Sequence, residues 1–216
     1  MRQKSAIFLT LIATAGFTLS TPSPSLAQSN YNHSTVGSGL PINPGNSLTL
    51  PGGMRTLPSF DGDGNPHVTY LDLTGDPQLS SVIQEAVKKW NTSWKSGYQL
   101  LQPDQELGVA GELPHILIET GWTESKVLGE TRICYPRTTS CPLTVIRVSL
   151  FSPSWPSTVL QSVIAHELGH ALGLGHTPDA SCYRPSLMPE ELNLDCMQVA
   201  PTKDEAEAVA SLYGID

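Results

Sequence analysis

Hydrophobic residues recur at helical spacing in three stretches of the chain. The first begins at Asp76-Pro77, an N-cap followed by a proline, and predicts a helix that runs through Trp94. The second begins at Pro156-Ser157-Thr158, and the third follows Thr202, which forms a capping-box pattern with Glu205. The apolar side of the first helix is expected in the core and comprises Val82, Ile83, Ala86, Val87 and Trp90. In the second helix, the expected buried side comprises Val159, Leu160, Val163, Ile164, Leu168 and Leu172.

Shorter runs of apolar and β-branched residues predict five strands, one before the first helix and four between the first and second helices. They lie at residues 67–73, 98–101, 115–119, 127–134 and 144–150. Their order with the helices predicts one α+β domain over residues 67–216. Residues 28–66 are rich in Gly, Pro, Ser and Asn and show no periodic apolar positions. This composition predicts a flexible leader or propeptide.

The first 27 residues have the order of a secretory signal peptide. Arg2 and Lys4 precede an apolar run over residues 6–19, and Ser25-Leu26-Ala27 offers small residues for cleavage. A membrane anchor is the alternative, but the run is short and rich in threonine. The sequence therefore predicts a secreted protein, extracellular or periplasmic, that does not associate with a membrane after cleavage of residues 1–27.

The net charge and the cysteine content restrict the kinds of partner and the cellular compartment that suit this protein. The formal net charge is −8 and no basic patch is evident, which argues against nucleic acid as a partner. Four cysteines after an export signal predict two disulfides. Of the three pairings, Cys134–Cys141 with Cys182–Cys196 is favoured, and free thiols or a second metal site are the alternative.

The strongest chemical signal is one eleven-residue run, His-Glu-Leu-Gly-His-Ala-Leu-Gly-Leu-Gly-His. His166 and His170 are four residues apart and project from one face of a helix. Gly173 can take the left-handed conformation that ends the helix, so that His176 approaches the same ion from a third direction. Three imidazoles leave one position of a tetrahedral Zn²⁺ open for water, as in catalytic zinc sites. Glu167, beside the first ligand, is the candidate general base.

Three segments of the chain resemble one family of enzymes. The run from Val163 to His176 resembles the active-site helix of metzincin zinc proteases, and specifically of matrixins, the matrix-metalloproteinase-like enzymes. Ser186-Leu187-Met188-Pro189 resembles their methionine turn, and Asp204 to Gly214 resembles the matrixin C-terminal helix. The resemblance covers residues 67–216. It implies a metzincin-like α+β fold, with a twisted mixed five-stranded sheet, three helices and a small irregular C-terminal subdomain across the zinc cleft.

The same resemblance implies a secreted zinc endopeptidase that acts in the extracellular matrix or a similar setting. One catalytic Zn²⁺ would be held by His166, His170 and His176, with Glu167 as the base and Met188 packed beneath the site. Protein or peptide substrates would bind as an extra strand along the edge segment 127–133, and a monomer is expected. The rival from another class is a secreted zinc-containing binding module that has lost catalysis, which intact ligand histidines and Glu167 disfavour.

The chain also departs from the matrixin pattern. The connection from His176 to Met188 is longer than in matrixins and contains Cys182. Glu205 stands where a second aspartate is usual, and Glu190 stands where related families have a tyrosine switch. The leader has no cysteine, so cysteine-based latency is excluded.

The segment Phe60-Asp61-Gly62-Asp63 in the leader leaves three interpretations open. An Asp-Gly turn ahead of the first strand is favoured. In the second interpretation, Asp63 covers the zinc, as the similar motif of astacin propeptides does. A Ca²⁺ loop is the third, but Pro66 replaces the glycine that such loops need and no clear calcium site results.

Overall fold

The computed structural model describes residues 31–32, 48–50, 54–94, 97–104, 113–123, 128–133, 143–149, 154–177 and 180–215. The strands are β1 (Tyr31–Asn32), β2 (Ser59–Phe60), β3 (Pro66–Asp72), β4 (Leu101–Pro103), β5 (Ile116–Gly121), β6 (Gly129–Arg132), β7 (Thr144–Ser149) and β8 (Glu191–Leu192). The helices are α1 (Pro77–Asn91), α2 (Ser157–Ala171) and α3 (Lys203–Tyr213). Within the described ranges, no helix is long and apolar enough to cross a membrane.

The main sheet runs in the order β2-β3-β5-β7-β6, and β4 pairs with β3. Strands β3, β4, β5 and β7 are parallel, whereas β6 runs antiparallel to β7 at one edge. This mixed sheet with three helices confirms the predicted α+β class. The sheet has six strands instead of five because the two-residue β2, inside the predicted leader, pairs with the start of β3.

The central helix α2 lies between α1 and the sheet strands β6 and β7. Every residue from Ser162 to Ala171 is buried, including His166 and His170. Trp90 of α1 is fully buried, and its indole N–H donates to Ala165 O over 2.9 Å, which confirms its predicted place in the core. The histidine motif therefore sits in the interior of the domain.

Hydrogen bonds at the two ends of α1 explain where this helix and strand β4 begin. The Asp76 side chain caps α1 by accepting from the N–H of Gln78 over 2.8 Å, as predicted. The helix ends at Asn91, before the predicted Trp94. The Asn91 side chain accepts from Leu101 N over 3.0 Å and donates to Leu101 O over 2.8 Å. This contact fixes β4 at Leu101–Pro103 and not at the predicted residues 98–101.

Part of the predicted leader is packed on the domain. We call residues 48–50 and 54–56 the N-terminal strap. Leu50 N donates to Gly173 O over 2.7 Å, and Gly175 N donates to Leu48 O over 2.9 Å. The Leu50 side chain is buried. The strap is thus bonded to the turn that leads from α2 to His176.

The other end of the strap is attached to α3. Tyr213 OH donates to Thr56 O over 2.6 Å, and Thr56 N donates to Ala171 O over 2.8 Å. The Arg55 guanidinium lies over the Tyr213 ring, 5.4 Å from its centroid. Burial raises the pKa of Tyr213, which keeps the hydroxyl a neutral donor. Removal of residues 28–66 from the mature protein stays a prediction, as does cleavage of residues 1–27, which lie outside the described residues.

The Phe60–Asp63 segment forms the turn between β2 and β3. Asp61 Oδ1 accepts from the backbone N–H of Asp63 over 2.9 Å and of Asn65 over 2.8 Å. The backbone hydrogen bond from Asn65 is the largest cause of a lowered pKa at Asp61, and the bond from Asp63 also lowers this pKa. The favoured interpretation, a turn ahead of the first strand, is confirmed. Asp63 is exposed in this turn.

One of the two predicted disulfides falls within the described residues. Cys182 and Cys196 are bonded, which confirms that pair. Cys134 and Cys141 lie outside the described residues, so their pairing stays a prediction.

Candidate active site

Helix α2 and the turn after it bring the three motif histidines together. His166 and His170 lie on one side of α2, with ring centroids 4.6 Å apart. Gly173 has φ +105°, the positive value expected for the residue that turns the chain back. The ring of His176 then lies 5.3 Å from that of His166 and 4.7 Å from that of His170. One ligand nitrogen from each of the three lies within 4.8 Å of the others.

Backbone carbonyls set the orientation of two of these rings. His166 Nδ1 lies 2.8 Å from Leu187 O, and His170 Nδ1 lies 2.8 Å from Leu174 O. A carbonyl can only accept, so each Nδ1 carries the proton and each Nε2 keeps its lone pair. Burial lowers the pKa of His176, which favours the neutral ring. Neutral imidazoles whose second nitrogen donates to a carbonyl are the usual protein ligands of zinc.

The cluster therefore fits the zinc that the sequence predicts. His170 Nε2 and His176 Nε2 are 3.1 Å apart, as expected for two ligands that face one small cation. Among the described residues, His166, His170 and His176 form the single group of three or more metal-ligating side chains. Three nitrogen donors on one side of a tetrahedral ion leave the fourth position open.

Met188, expected to pack beneath the site, lies against α2 at Gly169. It is fully buried, and a Cβ added to Gly169 would lie 2.4 Å from Met188 Sδ and 3.3 Å from Trp90. Glycine at position 169 is therefore what allows the thioether to lie against α2 between the two ligand histidines. The neighbouring Leu187 O holds His166, so the methionine turn contacts the site through both its backbone and its side chain.

Glu205 of α3 holds the methionine turn in place. Its Oε1 accepts from Ser186 Oγ over 2.6 Å, Leu187 N over 2.9 Å and Met188 N over 3.2 Å. Its Oε2 accepts from Thr202 N over 2.7 Å, which completes the predicted capping box. The side chain is 1% exposed, so water cannot replace these bonds. One carboxylate thus caps α3 and supports the loop whose carbonyl orients His166.

Replacing Glu205 with alanine should destabilise the protein and weaken zinc binding. Loss of the carboxylate leaves the buried N–H group of Leu187 without its acceptor and leaves Met188 N–H with Ser186 Oγ alone, a cost of about 2 kcal/mol in the free energy of unfolding. Loosening of the carbonyl that orients His166 should lower zinc affinity about 10-fold or more. Urea unfolding and zinc titration measure the two effects.

The control for this variant lies on the same helix. Glu207 is exposed and lies 3.7 Å from Lys203, so Glu207→Ala should change the free energy of unfolding by less than about 0.5 kcal/mol. Equal behaviour of the Glu205 and Glu207 variants would contradict a role for Glu205 in the site.

Glu167, the predicted base, is fully buried beside the first two histidines. Its Oε2 accepts from Thr131 Oγ1 of β6 over 2.7 Å. A Cβ added to Gly129 would lie 2.9 Å from Glu167 Cγ, so the edge strand runs directly against this side chain. The carboxylate therefore lies between α2 and β6.

His67 and His115, outside the histidine motif, lie elsewhere, and His115 is structural. His115 is buried, and its Nδ1 accepts from Thr69 N over 3.0 Å. Its Nε2 then carries the proton and donates to Ser59 Oγ over 3.0 Å. The His67 ring is 6.3 Å from that of His115, and neither belongs to the metal-binding group.

Sequence patterns did not indicate three contributors to the site. Thr131 and the N-terminal strap reach it only through contacts between distant segments. Glu205 was singled out for its capping box and its place in the acidic pair of the last helix, but its bonds to the methionine turn were not anticipated.

The chain is similar to several solved metzincin-like structures. It is 12% identical to myroilysin, with a TM-score of 0.46, over 69% of this chain and 80% of that one. It is 18% identical to archaemetzincin from Methanopyrus kandleri, with a TM-score of 0.45, over 68% of this chain and 95% of that one. It is 11% identical to high choriolytic enzyme 1, a hatching enzyme zinc-protease from Oryzias latipes, with a TM-score of 0.42, over 74% and 96%. Among curated proteins, no sequence matches this chain.

The sequence itself matches a family over the part that holds the site. The matching residues are 115–214, and the family is described as matrixin. They include β5, β6, β7, the histidine motif on α2, the methionine turn and α3. Residues 115–214, just under half of the chain, thus match the matrixin family, and the protein is a zinc metalloendopeptidase.

Proposed function

We propose that this protein is an exported endopeptidase in which His166, His170 and His176 hold one catalytic zinc and Glu167 is the general base. The observation that carries the proposal is the convergence of three imidazoles, two with Nδ1 fixed by carbonyls, beside a fully buried glutamate. A buried carboxylate next to a zinc ligand suits proton transfer, because it does not contribute to the solvated surface of the protein.

Each motif residue has a separate task in peptide hydrolysis. When bound, zinc supplies Lewis acidity, which lowers the pKa of a water molecule to about 7 and polarises a carbonyl. Glu167 accepts a proton from the attacking water and delivers it to the nitrogen of the leaving amine. With Glu190 in place of a tyrosine switch, no tyrosine is assigned to the stabilisation of the oxyanion.

The edge of the sheet supports a peptide or protein substrate. Strand β6 pairs with β7 in the described part of the sheet and is its last strand on that side. An extended peptide can add to such an edge through main-chain hydrogen bonds. Because Gly129 and Thr131 of this strand contact Glu167, a peptide bound there would pass close to the base.

We also propose that the protein is exported and acts as a monomer. The signal-like residues 1–27 and the Cys182–Cys196 disulfide both support an oxidising, extracytoplasmic compartment.

The rival function, an inactive zinc-binding module, would require a defect in the ligand set or the base. The three histidines are intact and grouped, and Glu167 is present and buried, which supports the enzyme over the binding module.

A mixed peptide library, digested with the purified protein starting at Gln28, tests this function. We expect cleavage at internal peptide bonds, loss of cleavage after zinc chelation, and recovery when one equivalent of zinc is restored. Mass spectrometry of the products gives the cleavage sites, and metal analysis gives the zinc content. Stoichiometric zinc with no cleavage of any peptide would favour the binding module, and unchanged cleavage by the metal-free protein would contradict a catalytic zinc.

A further inference from the structure

We infer that Thr131 is a positioning residue that fixes the carboxylate of Glu167 for proton transfer. The inference rests on the proposed function, because it concerns the residue assigned there as the base. Its basis is a hydrogen bond between β6 and α2 that joins residues 36 positions apart.

The Thr131 hydroxyl is aimed at Glu167 alone. Its Oγ1 lies 2.7 Å from Glu167 Oε2 and 3.0 Å from Glu167 O, so both acceptors of the one hydroxyl proton belong to the same residue. Thr131 is 1% exposed and Glu167 is fully buried, so water competes poorly for this bond. The methyl group of a threonine also restricts rotation about χ1, which fixes the hydroxyl in place.

Gly129 acts on the same carboxylate from two residues earlier on the strand. Gly129 and Thr131 are the two buried positions of β6 and face α2. A Cβ added to Gly129 would lie 2.9 Å from both Glu167 Cγ and Val163 Cγ1, and 3.0 Å from Glu167 Oε1. The strand backbone thus limits the side-chain rotamers open to Glu167, while Thr131 holds one of its oxygens.

A hydroxyl at this position suits both protonation states of the base. It donates to the carboxylate, and it can rotate to accept a hydrogen bond from the carboxylic acid that forms when Glu167 takes a proton. The side chain can therefore keep its orientation while the proton is held and then released to the leaving amine. Orientation before substrate binds avoids a reorganisation cost during the reaction.

Two substitutions separate the hydroxyl from the shape of the side chain. Thr131→Val keeps the size and the β-branch but removes the donor, whereas Thr131→Ser keeps the donor. We expect the valine variant to lower kcat about 10-fold to 100-fold at unchanged KM and zinc content. The serine variant should recover most of the lost kcat. If the valine variant does not fold, the comparison of Thr131→Ala with Thr131→Ser isolates the hydroxyl in the same way.

Thr144 on the neighbouring strand provides the matched control. It is 2% exposed, and its hydroxyl accepts from Thr56 Oγ1 over 2.9 Å, so Thr144→Val also removes a buried hydroxyl but does not touch Glu167. At saturating zinc its kcat should equal that of the unchanged enzyme, whatever its stability. Wild-type kcat in Thr131→Val, or equal losses in Thr131→Val and Thr131→Ser, would overturn the inference.

A double-mutant cycle with Glu167→Gln distinguishes this inference from the function on which it rests. If Thr131 acts through Glu167, adding Thr131→Val to Glu167→Gln should produce no further fall in kcat. An equal further fall in that background would show that Thr131 acts by another route. Full activity of Glu167→Gln alone would instead overturn the assignment of the base.

Discussion

Replacing Glu167 with glutamine should reduce peptide turnover by about 100-fold to 10,000-fold while the fold and the zinc content are retained. Glutamine has the same shape, and its amide oxygen can still accept the hydrogen bond that Thr131 donates over 2.7 Å. It cannot accept the proton of an attacking water. The loss should therefore appear in kcat, and it is measured with a cleaved library peptide alongside metal analysis and thermal unfolding.

Glu119 offers a control of the same chemistry away from the site. It accepts from Arg147 over 2.8 Å and is about one-third exposed, so its contribution to stability is small. Glu119→Gln should turn over peptide at the rate of the unchanged enzyme. If Glu167→Gln with bound zinc were as active as this control, another group would have to be the base.

Removing the N-terminal strap should have the second largest effect, on both stability and metal affinity. A chain that starts at Asn65 lacks the buried Leu50 and the backbone bonds that Leu48, Leu50 and Thr56 make to the end of α2 and the turn after it. Burial of one leucine contributes about 2 kcal/mol, and each bond about 1 kcal/mol, so the free energy of unfolding should fall by roughly 3 kcal/mol or more.

Removal of the strap should also lower the affinity for zinc, because the strap forms hydrogen bonds with both Gly173 and Gly175 in the turn that carries His176. We expect a loss of about 10-fold or more, since groups that orient a ligand commonly contribute that much. Urea unfolding and zinc titration of the two chains, starting at Gln28 and at Asn65, measure both changes.

Single leucines supply the matched pair for this test. Leu50→Ala should lower the free energy of unfolding by about 2 kcal/mol, because its side chain is 7% exposed. Leu73→Ala should cost less than about 0.5 kcal/mol, because Leu73 is 44% exposed. Equal stability and zinc affinity of the chains starting at Gln28 and Asn65 would mean that the strap is only a tether.

Local sequence determined the proposed metal ligands and most of the elements. His166 and His170 are placed by helical periodicity, and Gly173 marks the turn that brings in His176, so the three proposed ligands lie within eleven consecutive residues. The caps at Asp76 and Thr202 were likewise predictable, because a cap depends on bonds across two or three residues. These features are set by the backbone geometry of neighbouring residues, which the order of residue types displays directly.

Tertiary structure alone decided what surrounds and orients the site. Thr131 meets Glu167 across 36 positions, and the strap meets Gly173 across more than 100. Such contacts form between segments that the sheet and α2 bring together, and they leave no periodicity in the sequence. The strap residues have the composition of a flexible leader, yet α2 and α3 give them buried bonds that local propensity cannot reveal. The arrangement of the three histidines is therefore a local property of the chain, whereas the orientation of Glu167, the proposed base, and the support of His176 depend on the whole fold.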